Sequence, residues 1–116
     1  MEAPQLVSGE FQVIRELHGS VRVLVLAGEL DMATTPLLSE TLDGLARNGP
    51  VILDLGELTF VDSHGLHTIF ASAETLDLRL ARPRPNVTRL LKLTGGGRMV
   101  RIHETLEEAL EAAATG

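Results

Sequence analysis

The run Val51-Ile52-Leu53-Asp54-Leu55 constrains this chain more than any other segment, because it is apolar on both faces except at Asp54. A half-exposed strand alternates apolar with polar residues, whereas consecutive apolar positions suit a central strand with helices over one side. Strand and helix signals do alternate along the sequence, with short punctuation between them. Phe11, Val13, Ile14 and Leu17 precede a turn at His18-Gly19-Ser20, and a β-branched apolar run follows over 21–27, so a β-hairpin opens the fold. Residues 1–10 read as a loose N-terminal segment or an edge strand. Thr35 and Pro36 read as an N-cap with proline at the first helical position, and Leu38, Leu42 and Leu45 share a stripe of a helix ending near Asn48-Gly49.

The next helix is expected to start at Ser63, with Leu66, Ile69, Phe70 and Ala73 on its buried face and His64 and His67 pointing elsewhere. Leu78 and Leu80 alternate with Asp77, Arg79 and Arg82, which predicts a half-exposed strand before Pro83. Val87, Leu90 and Leu91 form a short helix that Gly95 can end in a left-handed conformation. Val100 and Ile102 mark a last strand. Thr105 and Glu108 then make a capping box for an alanine-rich helix through Leu106, Ala109, Leu110 and Ala113, which should lie on the sheet's surface. The sum is one α/β domain over 1–116: a small mixed, mostly parallel β-sheet with an N-terminal β-hairpin and about four α-helices packed on it.

Composition removes several functions. No cysteine is present, so a thiol nucleophile, a thiolate metal site and a disulfide framework are excluded. The formal charge of −6 disfavours phosphate backbones and anionic lipid heads as partners, so no direct nucleic acid binding is expected. Apolar runs are too short to span a bilayer and the start lacks a signal peptide's basic residues, which predicts a cytoplasmic protein without membrane insertion.

Two strand-to-helix junctions carry residues that folding alone does not need: Gly28-Glu29-Leu30-Asp31 and Phe60-Val61-Asp62-Ser63-His64-Gly65-Leu66. In open α/β sheets such junctions open on one end of the molecule, outside the carboxyl ends of the strands. The plain reading of Ser63 is an N-cap whose hydroxyl accepts a first-turn N–H. The sharper reading is a phosphorylation site, since a phosphate of about −1.5 to −2 charge is tolerated at the positive end of a helix dipole and alters what a partner meets. Asp62, His64 and His67 could imitate a metal cluster, but one local segment rarely encloses an ion, and a solvated helix face is the plainer account. Gly95-Gly96-Gly97 lacks the lysine and serine of a phosphate-binding loop and reads as a helix stop. An esterase would need a G-x-S-x-G elbow with a separate base, and His64 is badly placed to reach its own neighbour, so no enzyme is expected.

Gly28-Glu29-Leu30-Asp31, the Asp54 strand leading to Phe60-Val61-Asp62-Ser63 and Gly65-Leu66, then Leu90-Leu91-Lys92-Leu93-Thr94-Gly95 and Glu108-Ala109-Leu110 follow in an order that resembles the STAS domains, bacterial anti-sigma-factor antagonists and related modules. The resemblance covers roughly residues 11–113. It implies Ser63 as phosphoacceptor, and a partner surface of Glu29, Asp31, Asp62, Ser63 and His64. It further implies capture of an anti-sigma factor that is itself a serine kinase, which binds the ATP, release on phosphorylation, and resetting by a PP2C-type phosphatase. No cofactor is implied for this chain. Some STAS domains are instead docking subunits of lipid- or anion-transport systems, which is the alternative reading. Three features depart from the pattern: His64 stands where many relatives have serine, 66–83 is about one helical turn shorter, and Gly95-Gly96-Gly97 suggests a less anchored loop.

Overall fold

Leu30 at the end of one strand and Val61 at the end of another lie side by side in the sheet, and the rest of the topology brings them there. The computed structural model describes residues 5–8 and 10–115. Strands β2 (Phe11–His18) and β3 (Val21–Leu30) form the expected hairpin, with Gly19 at φ +64° in its tight turn. Strand β1 (Gln5–Ser8) pairs antiparallel with β2, so this part of the N-terminal segment is an edge strand; residues 1–4 lie outside the described residues.

Helix α1 (Thr35–Asp43) follows, then β4 (Pro50–Val61), α2 (Ser63–Ser72), β5 (Asp77–Ala81), α3 (Pro85–Leu93), α4 (Gly96–Met99), β6 (Arg101–His103) and α5 (Leu106–Thr115). The strands lie in sequence order, β1-β2-β3-β4-β5-β6, with β3 to β6 mutually parallel. Each parallel step therefore needs a crossover, and α1, α2 and the α3–α4 pair supply them. The described residues hold five helices rather than about four. The extra one is α4, hidden in the glycine run: Gly95, at φ +74°, ends α3, and the chain then turns helical with Gly96 buried against Leu91. The segment expected as a less anchored loop is thus a packed helical turn.

Alternation along the strands builds two cores. Phe11, Val13, Leu24, Leu26, Leu53 and Leu80 face α1, α2 and α3, which contribute Leu38, Leu42, Leu66, Ile69, Val87 and Leu91. On the opposite face Val23, Ile52 and Ala81 pack against Ala109 and Ala113 of α5. Helices therefore cover both faces of β4, not one. The narrow alanine stripe of α5 is the reason it can sit directly on the sheet, and the Thr105 hydroxyl accepts the Glu108 N–H at 3.0 Å, which is one of the two bonds of a capping box. The same helix corrects the expectation for β5: Arg79 is 2% exposed, so that strand is covered on both faces.

Helix α1 also departs from expectation at both ends. Its cap position is Thr34 rather than Thr35, and it stops at Asp43, five residues before Asn48. Arg22 donates from its guanidinium to the carbonyls of Ala46 and Gly49, at 2.6 and 3.0 Å, holding the intervening loop against β3.

The polar exception in the founding motif has a partner far along the chain. Asp54, 3% exposed, accepts from Arg82 Nε at 2.8 Å and Nη2 at 3.2 Å, and its Oδ1 also takes the Gly56 N–H at 3.0 Å. The hydrogen bond to Asp54 raises the Arg82 pKa against the opposing effect of burial. Arg82 lies over Gly56, where any Cβ would collide with the guanidinium, and it adopts φ +56° to do so. A fork of this kind is strong while complete; losing Arg82 strands the buried Asp54 carboxylate, whereas losing Asp54 leaves a partly exposed guanidinium that water can meet but takes the acceptor from the Gly56 N–H. Asp54→Ala is expected to destabilise the fold by about 1–3 kcal/mol in urea titration. Arg82→Lys should lose less than Asp54→Ala because one charged hydrogen bond can persist.

Candidate functional site

The two junctions singled out in the sequence converge at the carboxyl ends of β3 and β4. Parallel pairing sets Glu29 beside Phe60 and Leu30 beside Val61, after two register shifts that each place an extra residue on β4. These bulges let a twelve-residue strand end level with its ten-residue neighbour. Gly28 makes the approach possible from the other side: at φ +101° it runs so close to the Glu10 carbonyl that a Cβ has no room.

Asp62 joins the junctions. Its N–H donates to the Leu30 carbonyl at 3.0 Å, extending the β3–β4 pairing by one bond. Its carboxylate then divides its two oxygens, Oδ1 accepting the Gly65 N–H at 3.0 Å and Oδ2 the Met32 N–H at 3.2 Å. Asp62, with an extended backbone, is therefore the N-cap of α2, and Ser63 is the first helical residue. The plain reading of Ser63 as the cap is corrected: an aspartate directly before it reaches the same N–H groups with a charged acceptor. Gly65, buried, lets the first turn of α2 lie on Leu30 and Val61, where an added Cβ would clash with both side chains.

Asp31 organises the entry to α1. Its Oδ1 accepts the N–H groups of Ala33 and Thr34 at 3.0 and 3.1 Å, while its main-chain carbonyl takes the Thr35 N–H and hydroxyl at 2.8 and 2.6 Å. Thr34, 6% exposed, donates its hydroxyl to the Glu29 carbonyl at 2.8 Å and accepts the Asp31 N–H at 2.9 Å. The turn is thus held by internal hydrogen bonds. Sequence reasoning missed Thr34; the signal was the threonine pair after an aspartate, a pattern that builds side-chain turns.

With Asp62 and Asp31 committed to the backbone, Ser63 is left to solvent. It is exposed, as are His64 and Glu29, and among the described residues no hydrogen bond holds its hydroxyl. The Ser63 and His64 N–H groups open α2 without intrahelical acceptors, because the first i to i−4 bond of the helix is Leu66 N–H to the Asp62 carbonyl at 3.1 Å. Two apolar side chains also stand in water here, Met32 at 65% and Phe60 at 45% exposure. Phe60 opens the second junction motif of the sequence, whereas Met32 was not singled out there. His67 is exposed further along α2 and lines the groove between α1 and α2 with Arg47. Among the described residues no group of three or more His, Asp or Glu side chains is arranged to hold a metal.

The STAS domain family model matches residues 12–109. The anti-sigma-F factor antagonist RsfB of Mycobacterium tuberculosis is 30% identical over 105 residues, which is 85% of this chain and 86% of that protein. The crystal structure of an anti-sigma factor antagonist from Mycobacterium paratuberculosis superposes with a TM-score of 0.85 at 27% identity, covering 94% of this chain and 99% of that one. A sulfate transporter family protein from Wolinella succinogenes shares the fold, with a TM-score of 0.74 at 17% identity over 86% of this chain and 89% of that one. The order of strands, the paired junctions and the match over most of its length place this chain in the STAS domain family.

Proposed function

We propose that this protein is an anti-sigma factor antagonist whose unmodified form binds an anti-sigma factor with serine kinase activity and so frees a sigma factor, and that phosphorylation of Ser63 ends that binding. The observation that carries the reading is the exposed Ser63 hydroxyl at the first position of α2, beside a cap that Asp62 already satisfies. A kinase can reach that oxygen without opening the core. The relatives named as anti-sigma factor antagonists supply the partner class, and the kinase, not this chain, binds the ATP.

The switch follows from where the charge arrives. A phosphate on Ser63 carries about −1.5 to −2 charge and sits at the positive end of α2, near the N–H groups of Ser63 and His64, so the fold tolerates it. The surface does not stay the same. Unmodified, it offers Met32 and Phe60 as apolar anchors between Glu29, Asp31 and Asp62. Phosphorylated, it gains a strongly hydrated dianion at its centre, which opposes desolvation by the apolar partner surface that Met32 and Phe60 require. A PP2C-type phosphatase returns the protein to the binding state. No helix here is long and apolar enough to cross a membrane, and a cytoplasmic setting, where kinase and sigma factor would meet it, belongs to this proposal. Docking in a lipid- or anion-transport system has only the shared fold behind it, at 17% identity.

Calorimetric titration of the anti-sigma factor tests the switch. Ser63→Ala should bind it as the unmodified protein does and stay bound when ATP is supplied. Ser63→Asp should bind at least about tenfold more weakly, a loss of about 1.4 kcal/mol; equal affinities would overturn the proposal.

Asp31→Asn separates recognition from folding. The amide keeps an oxygen where Oδ1 accepts from Ala33 and Thr34, so the free energy of unfolding from urea titration should change by no more than about 0.5 kcal/mol while the rate of phosphorylation or the affinity falls. Asp62→Ala should instead lower stability by about 1 kcal/mol through loss of the cap, measured by thermal unfolding.

A further inference from the structure

The formal charge of −6 is unevenly spread. Six of the ten Lys and Arg residues, namely Arg82, Arg84, Arg89, Lys92, Arg98 and Arg101, fall within 82–101, and no Asp or Glu interrupts them. This stretch is β6, α3 and α4 with their connections, at the edge of the sheet opposite β1. Arg82 is committed to Asp54, and Arg84 donates to the Gly56 carbonyl at 3.0 Å. Arg89, Lys92, Arg98 and Arg101 are exposed.

A cavity of about 840 Å³ opens between α3 and β6, with Arg89 and Lys92 on one wall and Ile102, His103 and Glu104 on the other. Ile102 is 37% exposed, Met99 50% and Leu93 77%, so large apolar side chains surround the charges. His103 Nε2 is buried with no hydrogen-bond partner among the described residues. The backbone beside the cavity is open as well, since β6 pairs only with β5. Arg82 N–H donates to the His103 carbonyl at 3.0 Å, so His103 turns its main-chain groups toward β5. By the alternation of a parallel ladder, Ile102 turns its own N–H and carbonyl to the empty side.

Edge strands are commonly short and charged to prevent stray pairing, and Arg101 on a three-residue strand fits that protective role. Protection alone does not explain a cavity beside the edge, exposed apolar side chains near it, and four exposed cations, Arg89, Lys92, Arg98 and Arg101, against the one carboxylate of the cavity lining, Glu104. We infer that the β6 edge is a second docking site, which takes an extended acidic segment of a partner protein as an added strand. Its main chain pairs with Ile102, an apolar side chain enters the cavity between α3 and β6, and its carboxylates meet Arg89, Lys92 and Arg101. Extended peptide rather than lipid is favoured by the concave, strand-edged shape; nucleic acid is disfavoured because the three phenylalanines are Phe11, Phe60 and Phe70, all outside this region. The residues involved are separate from the Ser63 junction, so the inference stands independently of the phosphoswitch.

Fluorescence anisotropy with a labelled peptide of alternating glutamate and valine, a composition that favours the extended chain, tests the site on the whole protein. The peptide should bind with an affinity that falls as salt rises. Arg89→Glu combined with Lys92→Glu should weaken it at least about tenfold. Ile102→Pro, which removes a single outward donor from an edge strand, should weaken it too, with thermal unfolding confirming that both variants stay folded. The inference is overturned if the charge-reversed protein binds equally well, if the same residues permuted to helical spacing bind as tightly, or if the peptide fails to bind. Binding of phosphatidylglycerol vesicles in preference to the peptide, or self-association through this face in sedimentation, would equally overturn it.

Discussion

The structure depends on how β3 and β4 are closed at their carboxyl ends. Parallel strands leave main-chain groups pointing into the junction where each hands over to a helix, and these must find partners. Here one residue meets most of that need: Asp62 donates its N–H to Leu30 and spends both carboxylate oxygens on the N–H groups of Met32 and Gly65. That leaves two helices starting side by side, an exposed serine at the head of one, and two acidic turns already satisfied. Because the carboxylate is occupied by the backbone, the neighbouring hydroxyl is spared a structural duty, and a residue without one can be modified without loss of the fold.

A second constraint is the unequal cover of the sheet. Among the described residues α1, α2 and α3 share one face, where leucines interlock deeply, and a single alanine-striped helix covers the other. The thinner layer brings polar side chains under cover: Asp54 is buried and finds Arg82, whereas Arg79 is buried with only Asp77, at 3.3 Å from its Nη2. Nε and Nη1 of Arg79 have no partner among the described residues. Unmet donors of that kind cost stability.

The parts of this fold written in local pattern were legible in the sequence. The hairpin turn at Gly19, the buried stripe of α2, the left-handed Gly95 and the capping box at Thr105 all rest on residues within a few positions of one another. What escaped depended on distant contacts. Arg79 looked like the exposed half of an alternating strand until α5 covered it, and nothing near Asp54 announced that its partner stands 28 residues away. Helix α4 was obscured because three glycines argue against a helix on propensity, and packing against Leu91 outweighs that. At the candidate site the two junctions and the start of α2 at Ser63 were readable, but the cap was assigned one residue late, to Ser63 instead of Asp62. Two neighbours, Asp62 and Ser63, are both good caps, and only geometry decides between them.

Charge shows the same difference between a sum and an arrangement. A net charge of −6 governs what happens at long range, where anionic partners are repelled as a class. Within a Debye length of roughly 8–10 Å, however, a partner meets the nearest side chains and not the total. Glu29, Asp31 and Asp62 stand together at the β3 and β4 junctions, and Glu107, Glu108 and Glu111 along α5, while 82–101 carries cations alone. Local clusters of one sign therefore coexist with a net charge of the other. The surface beside Ser63 already holds Glu29, Asp31 and Asp62, so a further negative charge there deepens an existing negative potential, whereas the same charge at the β6 edge would offset the cations around it.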